Sequence, residues 1–199
     1  KLTINDILLH QAGLHPFIVF YKETIDVATG IPKPGFYSDK PKPGYTVKVA
    51  ENMYMRNDWQ DTMWQRILKS PLTAKNKYVY SDNDFIFLGR IIQEVSGLTL
   101  DQYTKRNFYD KIGMMSTGFN PTKRFSMECL VPTETEKHFR QQTARGYVHD
   151  EGASMFGGVS GHAGLFSNAY DLSLLSQMLL NGGVLNGERY LKAETVKLF

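Results

Sequence analysis

Three groups of side chains in this sequence have the types and spacing to do chemistry. The first is Tyr80, one residue before Ser81, which reads as the N-cap of a helix running through "DNDFIFLGRIIQEVSG". A phenol held at the mouth of a helix meets backbone N–H groups and the positive end of the helix dipole, both of which favour negative charge. With a cation beside it, such a tyrosine suits the work of a general base; without one, it is an aromatic packed at a junction. The second is Ser160, set in Gly158-Val159-Ser160-Gly161-His162. A nucleophile elbow needs Gly-x-Ser-x-Gly, and His162 stands where the last glycine belongs, so the segment reads as a tight glycine turn. The third is the scatter of His149, Asp150 and His162 among the carboxylates Asp82, Asp84, Glu134, Glu136 and Glu151. No second ligand lies four residues from either histidine and no cysteine joins them, so hydrogen bonding is favoured over a metal. No carboxylate pair is singled out by spacing, and no cofactor motif is present.

Composition narrows the classes. The 199 residues are 42% hydrophobic and 22% charged, as expected of an ordinary globular chain. A net charge of +3, with lysines scattered along the sequence, argues against nucleic acid as a partner. No apolar run approaches the roughly 18 residues of a membrane span. Cys129 is the single cysteine, which rules out an internal disulfide and leaves the redox compartment open.

The elements that must position these residues are mostly helical. Thr3 and Asp6 form a capping-box-like start before Ile4, Ile7 and Leu8, with Gly13 as the stop. Residues 26–56 are rich in proline, glycine and lysine and predict a long loop, with a short strand at "YTVKVA". A helix is predicted over Asp58–Lys69, ended by Ser70-Pro71. The next opens at Ser81, repeats apolar residues at Phe85, Leu88, Ile91, Ile92 and Val95, and closes at Gly97. Ile86 and Phe87 widen its stripe, which predicts burial nearly all round in its first half. Thr99 and Gln102 cap another helix ending before Gly113. Residues 114–150 read as irregular, with "VPTE" as a turn, and the glycine-rich "MFGGVSGHAGLF" marks backbone passing close to something. Ser167 is the expected cap of a helix with Leu172, Leu175 and Leu179 on its face, followed by a hairpin through Asn186-Gly187.

Several stretches together resemble the penicillin-recognising serine hydrolases, the family of class C β-lactamases, DD-peptidases and related esterases. "LTINDILLHQAGL" is similar to a threonine-led helix ending in His-x-Ser-Gly-Leu, with His10, Gly13 and Leu14 matching and Ala12 replacing the serine. "YSDNDFIFLGRIIQEVSG" resembles the segment carrying Tyr-x-Asn, and "GGVSGHAGLFSNAYDLSLLSQMLLNGGVLNGERYL" resembles the family's glycine turn, capped helix and hairpin. The resemblance implies an acyl-enzyme mechanism, with Tyr80 as the proton-moving tyrosine and Asp82 in the place of the substrate-orienting asparagine. An ionised carboxylate accepts but cannot donate, so this change puts β-lactam recognition in question. His162, Ala163 and Gly164 imitate the family's Lys-Thr-Gly or His-Thr-Gly motif, although Ala163 lacks the hydroxyl. His162 and Gly164 therefore join Asp82 as candidate substrate-binding residues.

No serine here begins Ser-x-x-Lys, and neither Lys-Thr-Gly nor His-Thr-Gly occurs. The expectation is thus residues 1–199 as the central, mainly helical part of one β-lactamase-like domain. Its fold would be α-rich α/β (α+β) with short strands and an incomplete sheet, and it would be inactive by itself. "ATGIPKPGFYSDKPKPGYT" and "VPTETEKHFR" with "GYVHDEGASMFGG" also resemble bacterial envelope proteins that fuse such a domain to a family-3 β-N-acetylglucosaminidase. That resemblance implies cell-wall-derived or peptidoglycan substrates and a periplasmic or cell-envelope location. The expected partners are a small-molecule or peptidoglycan-derived substrate, the remainder of the same domain, and further copies of the chain through exposed apolar faces. The alternative is a non-catalytic helper or binding domain that keeps the fold, which Asp82 would also suit.

Overall fold

The computed structural model describes residues 2–73 and 76–198. The first helix, α1 (Ile4–Leu8), carries the expected reciprocal cap, Thr3 Oγ1 accepting from Asp6 N–H at 3.1 Å and Asp6 Oδ2 from Thr3 N–H at 3.0 Å. It stops well before Gly13, because His10 turns left-handed at φ 54°. The segment after it is laced to Thr73, Asn76 and Val79. Gly13 O accepts from Thr73 N–H at 2.7 Å, and His10 O from Val79 N–H at 2.9 Å.

Residues 26–56 are more ordered than a loop. Strands β1 (Tyr37–Ser38), β2 (Val47–Ala50) and β3 (Met53–Met55) form an antiparallel sheet in the order β1-β3-β2. The alternation in "VKVA" turns Val47 and Val49 inward onto the largest core, with Met53, Met55, Phe20, Ile25, Phe139 and Met155. Helix α2 (Asp58–Lys69) covers that core with Met63 and Ile67, as its three-and-four spacing predicts.

Helix α3 (Asp82–Ser96) starts after Ser81 and ends where Gly97 adopts φ 69°. Its buried residues are Asn83, Asp84 and Gly89, whereas Phe85, Ile86, Phe87 and Leu88 are only partly covered. The expectation of burial nearly all round is thus corrected: one apolar side lines an open groove. Helix α4 (Leu100–Thr104) continues through a π-turn at Lys105–Tyr109 into α5 (Asp110–Ile112), and Gly113 closes it at φ 88°.

Within residues 114–150, β4 (Gly118–Phe119) awaits a distant partner, and β5 (Pro132–Thr135) pairs with β6 (Thr143–Arg145). "VPTE" is therefore a strand rather than a turn. Helix α6 (Glu151–Met155), capped by Asp150, follows, and β7 (Leu165–Phe166) pairs with β4. The cap of α7 (Ala169–Leu180) is Asn168, whose Oδ1 accepts from Asp171 N–H at 2.8 Å; Ser167 instead bonds Thr117 Oγ1 at 2.7 Å. Leu172 and Leu179 are exposed, and the covered face holds Asp171, Leu174, Leu175 and Met178. The hairpin β8 (Val184–Leu185) and β9 (Glu188–Arg189) turns through Asn186 and Gly187, both at positive φ, before α8 (Ala193–Val196). The architecture is mixed α/β, helical in its longest elements, with short strands and no closed sheet among the described residues. No helix among them is long and apolar enough to cross a membrane.

The glycine-rich turn does pass close to something. A Cβ on Gly161 would sit 1.9 Å from Phe85 O and 3.2 Å from Gly89 N, so the turn lies directly on the backbone of α3. Because the obstruction is backbone, Gly161→Ala is expected to destabilise the fold by about 2–4 kcal/mol. A urea midpoint unchanged from wild type would contradict this contact.

Candidate functional site

The site is assembled where the start of α3, the start of α6 and the glycine turn meet. The first of these is fixed by polar contacts that leave little freedom. Ser81 Oγ and Asn83 Nδ2 both donate to His15 O, at 2.8 and 2.6 Å, and Asp82 N–H donates to Pro16 O at 2.8 Å. Beneath the junction His10 Nδ1 lies 2.8 Å from Asp84 Oδ2, both residues being buried. The same nitrogen is 3.2 Å from Ser81 N, and a single imidazole nitrogen cannot both donate to Asp84 and accept from Ser81. The shorter contact, to a buried carboxylate, is the one the chemistry favours.

Tyr80 stands on this platform. Its ring centroid is 4.8 Å from that of His10, which also meets Tyr78 and Phe85, and the side chain is otherwise exposed. Partial burial raises the Tyr80 phenol above its ordinary value, and the carboxyl of Asp82 raises it further. The helix terminus alone therefore does not produce a phenolate here. A cation from elsewhere would have to supply that stabilisation.

Asp82 opens α3 and faces a cavity of about 270 Å³ that also presents Asp150, Glu151, His162, Lys22 and Phe156. Burial is the main cause that raises the Asp82 carboxyl; His162 acts against it, Asp150 adds to it, and Tyr80 and His10 lower it without cancelling the rise. Asp150 behaves oppositely. Burial pushes it up, but hydrogen bonds from His162 and from Ala153 N–H outweigh burial and hold it below the ordinary carboxylate range. The imidazole of His162 spans the turn, with Nε2 3.0 Å from Asp150 Oδ1 and Nδ1 2.8 Å from Ser160 Oγ. Asp150 Oδ1 also caps α6, accepting from Ala153 N–H at 2.6 Å.

Of the expected site residues, Tyr80, Asp82 and His162 come together. Gly164 does not line this cavity; at φ 116° a Cβ there would meet Gly158 O at 2.5 Å, which gives it a backbone-packing reason to be glycine. His149 is exposed, 3.3 Å from Glu134, and takes no part. Asp150 and Ser160 are the members that spacing did not select, although both lie within twelve residues of His162. One donor atom each from Asp82, Asp150 and His162 lies within 4.8 Å of the others. Both ring nitrogens of His162 are already committed to Ser160 and Asp150, so the histidine reads as a hydrogen-bonding residue, with Asp82 beside it, rather than as a metal ligand.

A family model described as Beta-lactamase matches residues 1–199. The chain is 38% identical over 179 residues to an Escherichia coli K12 protein named "Putative D-alanyl-D-alanine carboxypeptidase", covering 83% of this chain and 40% of that one. A Salmonella gallinarum protein of the same name is 36% identical over 213 residues, covering 100% of this chain and 43% of the relative. The chain thus spans about two fifths of the length of these relatives. Among solved structures, it is similar to the octameric penicillin-binding protein homologue from Pyrococcus abyssi. The TM-score is 0.58 at 18% identity, covering 99% of this chain and 38% of that one. It is also similar to a penicillin-binding protein from Bacillus halodurans, with a TM-score of 0.56 at 17% identity, covering 99% and 51%. Those identities speak for the fold alone.

The Asp150 contacts make a pH-dependent contribution to stability. A carboxyl held below its unfolded value stabilises above the unfolded pKa, and the effect is lost as pH falls through the folded pKa. Asp150→Ala, which removes both the cap and the His162 partner, is expected to cost about 1–2 kcal/mol at pH 7. The difference from wild type should shrink below about pH 4. Chemical denaturation across pH 3–7 measures it, and a pH-independent difference would contradict the assignment.

Proposed function

Because this chain belongs to the beta-lactamase family, we propose that it forms the mainly helical part of a serine acyl-transfer domain of the β-lactamase, DD-peptidase or esterase type. The observation that carries this reading is the Tyr80 junction: a tyrosine packed on the ring of His10, beside Asp82, which lines a polar cavity, with a buried His10–Asp84 pair beneath. In this mechanism a serine attacks the carbonyl of an ester or amide, the leaving group departs with a proton, and water resolves the acyl-enzyme. Tyr80 moves the proton. The nucleophilic serine and the lysine that keeps Tyr80 reactive come from the remainder of the domain, outside these 199 residues. A cation placed there answers the raised phenol of Tyr80. The names of the relatives support an acyl donor of the D-alanyl peptide class, and hence cell-wall-derived substrates in the periplasm or cell envelope.

An apolar groove supports the part-domain reading. About 550 Å³ of space is lined by Ile4, Leu8, Phe85, Leu88, Ile92 and Leu165 among others. An apolar surface of this kind on a lone domain marks a contact site, and here the remainder of the same domain is the occupant that also supplies the serine. A second reading is a non-catalytic binding domain accompanying a cell-wall glycosidase. The feature that favours it is Asp82, whose ionised form cannot donate as an amide does.

The test compares the chain with the whole protein that contains it. Fluorescent penicillin and a nitrophenyl ester should neither label nor be turned over by the chain alone, and should acylate the whole protein. There Tyr80→Phe is expected to lower kcat/KM by about 10²–10⁴-fold. Stoichiometric labelling of the chain, abolished by Ser160→Ala, would overturn the assignment of the nucleophile. The groove has its own consequence. The isolated chain should self-associate at micromolar concentration, and Leu88→Glu with Ile92→Glu should return it to a monomer in sedimentation velocity. A wild-type chain that stays monomeric would mean the groove needs no cover.

A further inference from the structure

Arg140 is a buried cation that the site described above does not use. It lies in the loop between β5 and β6, and its side chain is 0% exposed. Nη1 donates to Val148 O at 2.6 Å; Nη2 donates to His149 O at 2.7 Å and to Glu134 Oε1 at 2.6 Å. Nε has no hydrogen-bond partner among the described residues and lies 4.0 Å from Glu136 Oε2. Glu136 is itself buried, and its carboxylate accepts the backbone N–H groups of His138, Phe139, Arg140 and Gln141, which closes the loop around it. A guanidinium leaves water only where carboxylates and fixed dipoles replace its hydration. Its planar fork, meeting two successive carbonyls, holds them at a set spacing.

Those carbonyls belong to the residues just before Asp150. Val148 and His149 lie in neither a helix nor a strand, so the guanidinium fixes them where no ladder does. Asp150 follows as the cap of α6, and its Oδ1 meets both Ala153 N–H and His162 Nε2. A carboxylate only accepts, so Nε2 carries the proton; in the neutral ring Nδ1 then accepts from the Ser160 hydroxyl, 2.8 Å away. His162 in turn lines both the polar cavity and the apolar groove, whereas Arg140 lines neither. We propose that Arg140 is a positioning residue of the site: it holds residues 148–149 so that Asp150 meets His162, and thereby fixes the orientation and the Nε2–H tautomer of that imidazole at the cavity wall. For its effect on turnover the proposal rests on the acyl-transfer reading above; the tautomer stands without it. Lysine at this position keeps the buried charge for Glu134 and Glu136 but offers a point charge in place of the fork.

The test uses the whole protein that contains this chain, isotope-labelled at its histidine nitrogens, with the His162 NMR signals assigned from His162→Gln. At a pH where the ring is neutral, wild type is expected to show Nε2 as the protonated nitrogen and Nδ1 as the bare one. Arg140→Lys is expected to move the two signals toward each other as the tautomers mix. Met178→Ala, in the core under α7 and away from the site, also loses stability and is expected to leave them unchanged. Should Arg140→Lys not fold, Glu134→Ala loosens the same fork at its more exposed end and should move the signals the same way, by less. Signals that do not move in these variants, or that move equally in Met178→Ala, overturn the proposal. Turnover supplies the link to the site. Arg140→Lys should lower kcat/KM by about 10–100-fold, and adding it to His162→Gln should cost little more than His162→Gln alone. Fully additive losses overturn the positioning role. Absence of any acyl-enzyme is a failure of the acyl-transfer reading instead, and leaves the histidine signals to decide.

Discussion

The buried contact between His10 and Asp84 is the constraint on which the rest of this site depends. Asp84 lies on the first turn of α3 and is 1% exposed, so its carboxylate has no access to water for compensation. Burial raises it and His10, on Oδ2, opposes that shift; Asp84 Oδ1 has no hydrogen-bond partner among the described residues. Removing one member of such a pair leaves the other uncompensated, at a cost of about 3–5 kcal/mol. The pair also does geometric work. It ties the left-handed turn at His10 to the helix, and the imidazole then provides the face on which Tyr80 rests. The tyrosine is held from below by a ring, and Ser81, the expected cap of α3, instead donates its hydroxyl to His15 O, so that the loop just after the tyrosine is tied down.

The same logic explains which parts of the fold were legible in the sequence. Helices α2 and α3 were, because their signals are local: Ser70-Pro71 stops one, and Ser81 and Gly97 bound the other. The hairpin at Asn186-Gly187 was legible for the same reason, since two consecutive positive φ angles demand those residues. The buried face of α7 was not. Leu172 and Leu179 are as apolar as Leu174, Leu175 and Met178, so periodicity alone offers two adjacent stripes, and of the three expected face residues only Leu175 is covered. What chooses between them is Asp171, 2% exposed, whose Oδ2 accepts from Ser116 N–H and Thr117 Oγ1, both at 2.8 Å. A buried polar contact formed 54 residues away rotates the helix, and nothing local announces it.

The candidate site divides along the same line. The place of Tyr80 before a helix start was legible because such a start has a recognisable chemistry, whereas Asp82 was singled out only by the resemblance to Tyr-x-Asn. The Ser160–His162–Asp150 chain was not legible, because it depends on two close approaches. Gly161 must lie on the backbone of α3, and Asp150 must cap the five-residue α6 while pointing its carboxylate at the turn. A five-residue helix has no periodicity to read, and its existence rests on the cap and on the burial of Ala153 and Met155. In the proline- and glycine-rich tract the strand at "YTVKVA" was legible and is β2, whereas β1 and β3 were not, for a related reason. Its short strands are stabilised by a core assembled from residues as distant as Met155, not by strand propensity.

Helix α3 therefore faces two environments that make opposite demands. Its first turn is polar and anchored, with Asp82 in the cavity, Asn83 on His15 and Asp84 on His10. Its apolar stripe, from Phe85 through Leu88 to Ile92, is left open along the groove. A helix whose polar end is tied to two histidine residues while its apolar side is open has its position set by the site rather than by the groove. Any element that covers the groove thus docks onto a wall already fixed in place. That wall begins at Phe85, one turn into the helix that opens at Asp82, so burial of apolar surface there acts on the same element that positions the polar site.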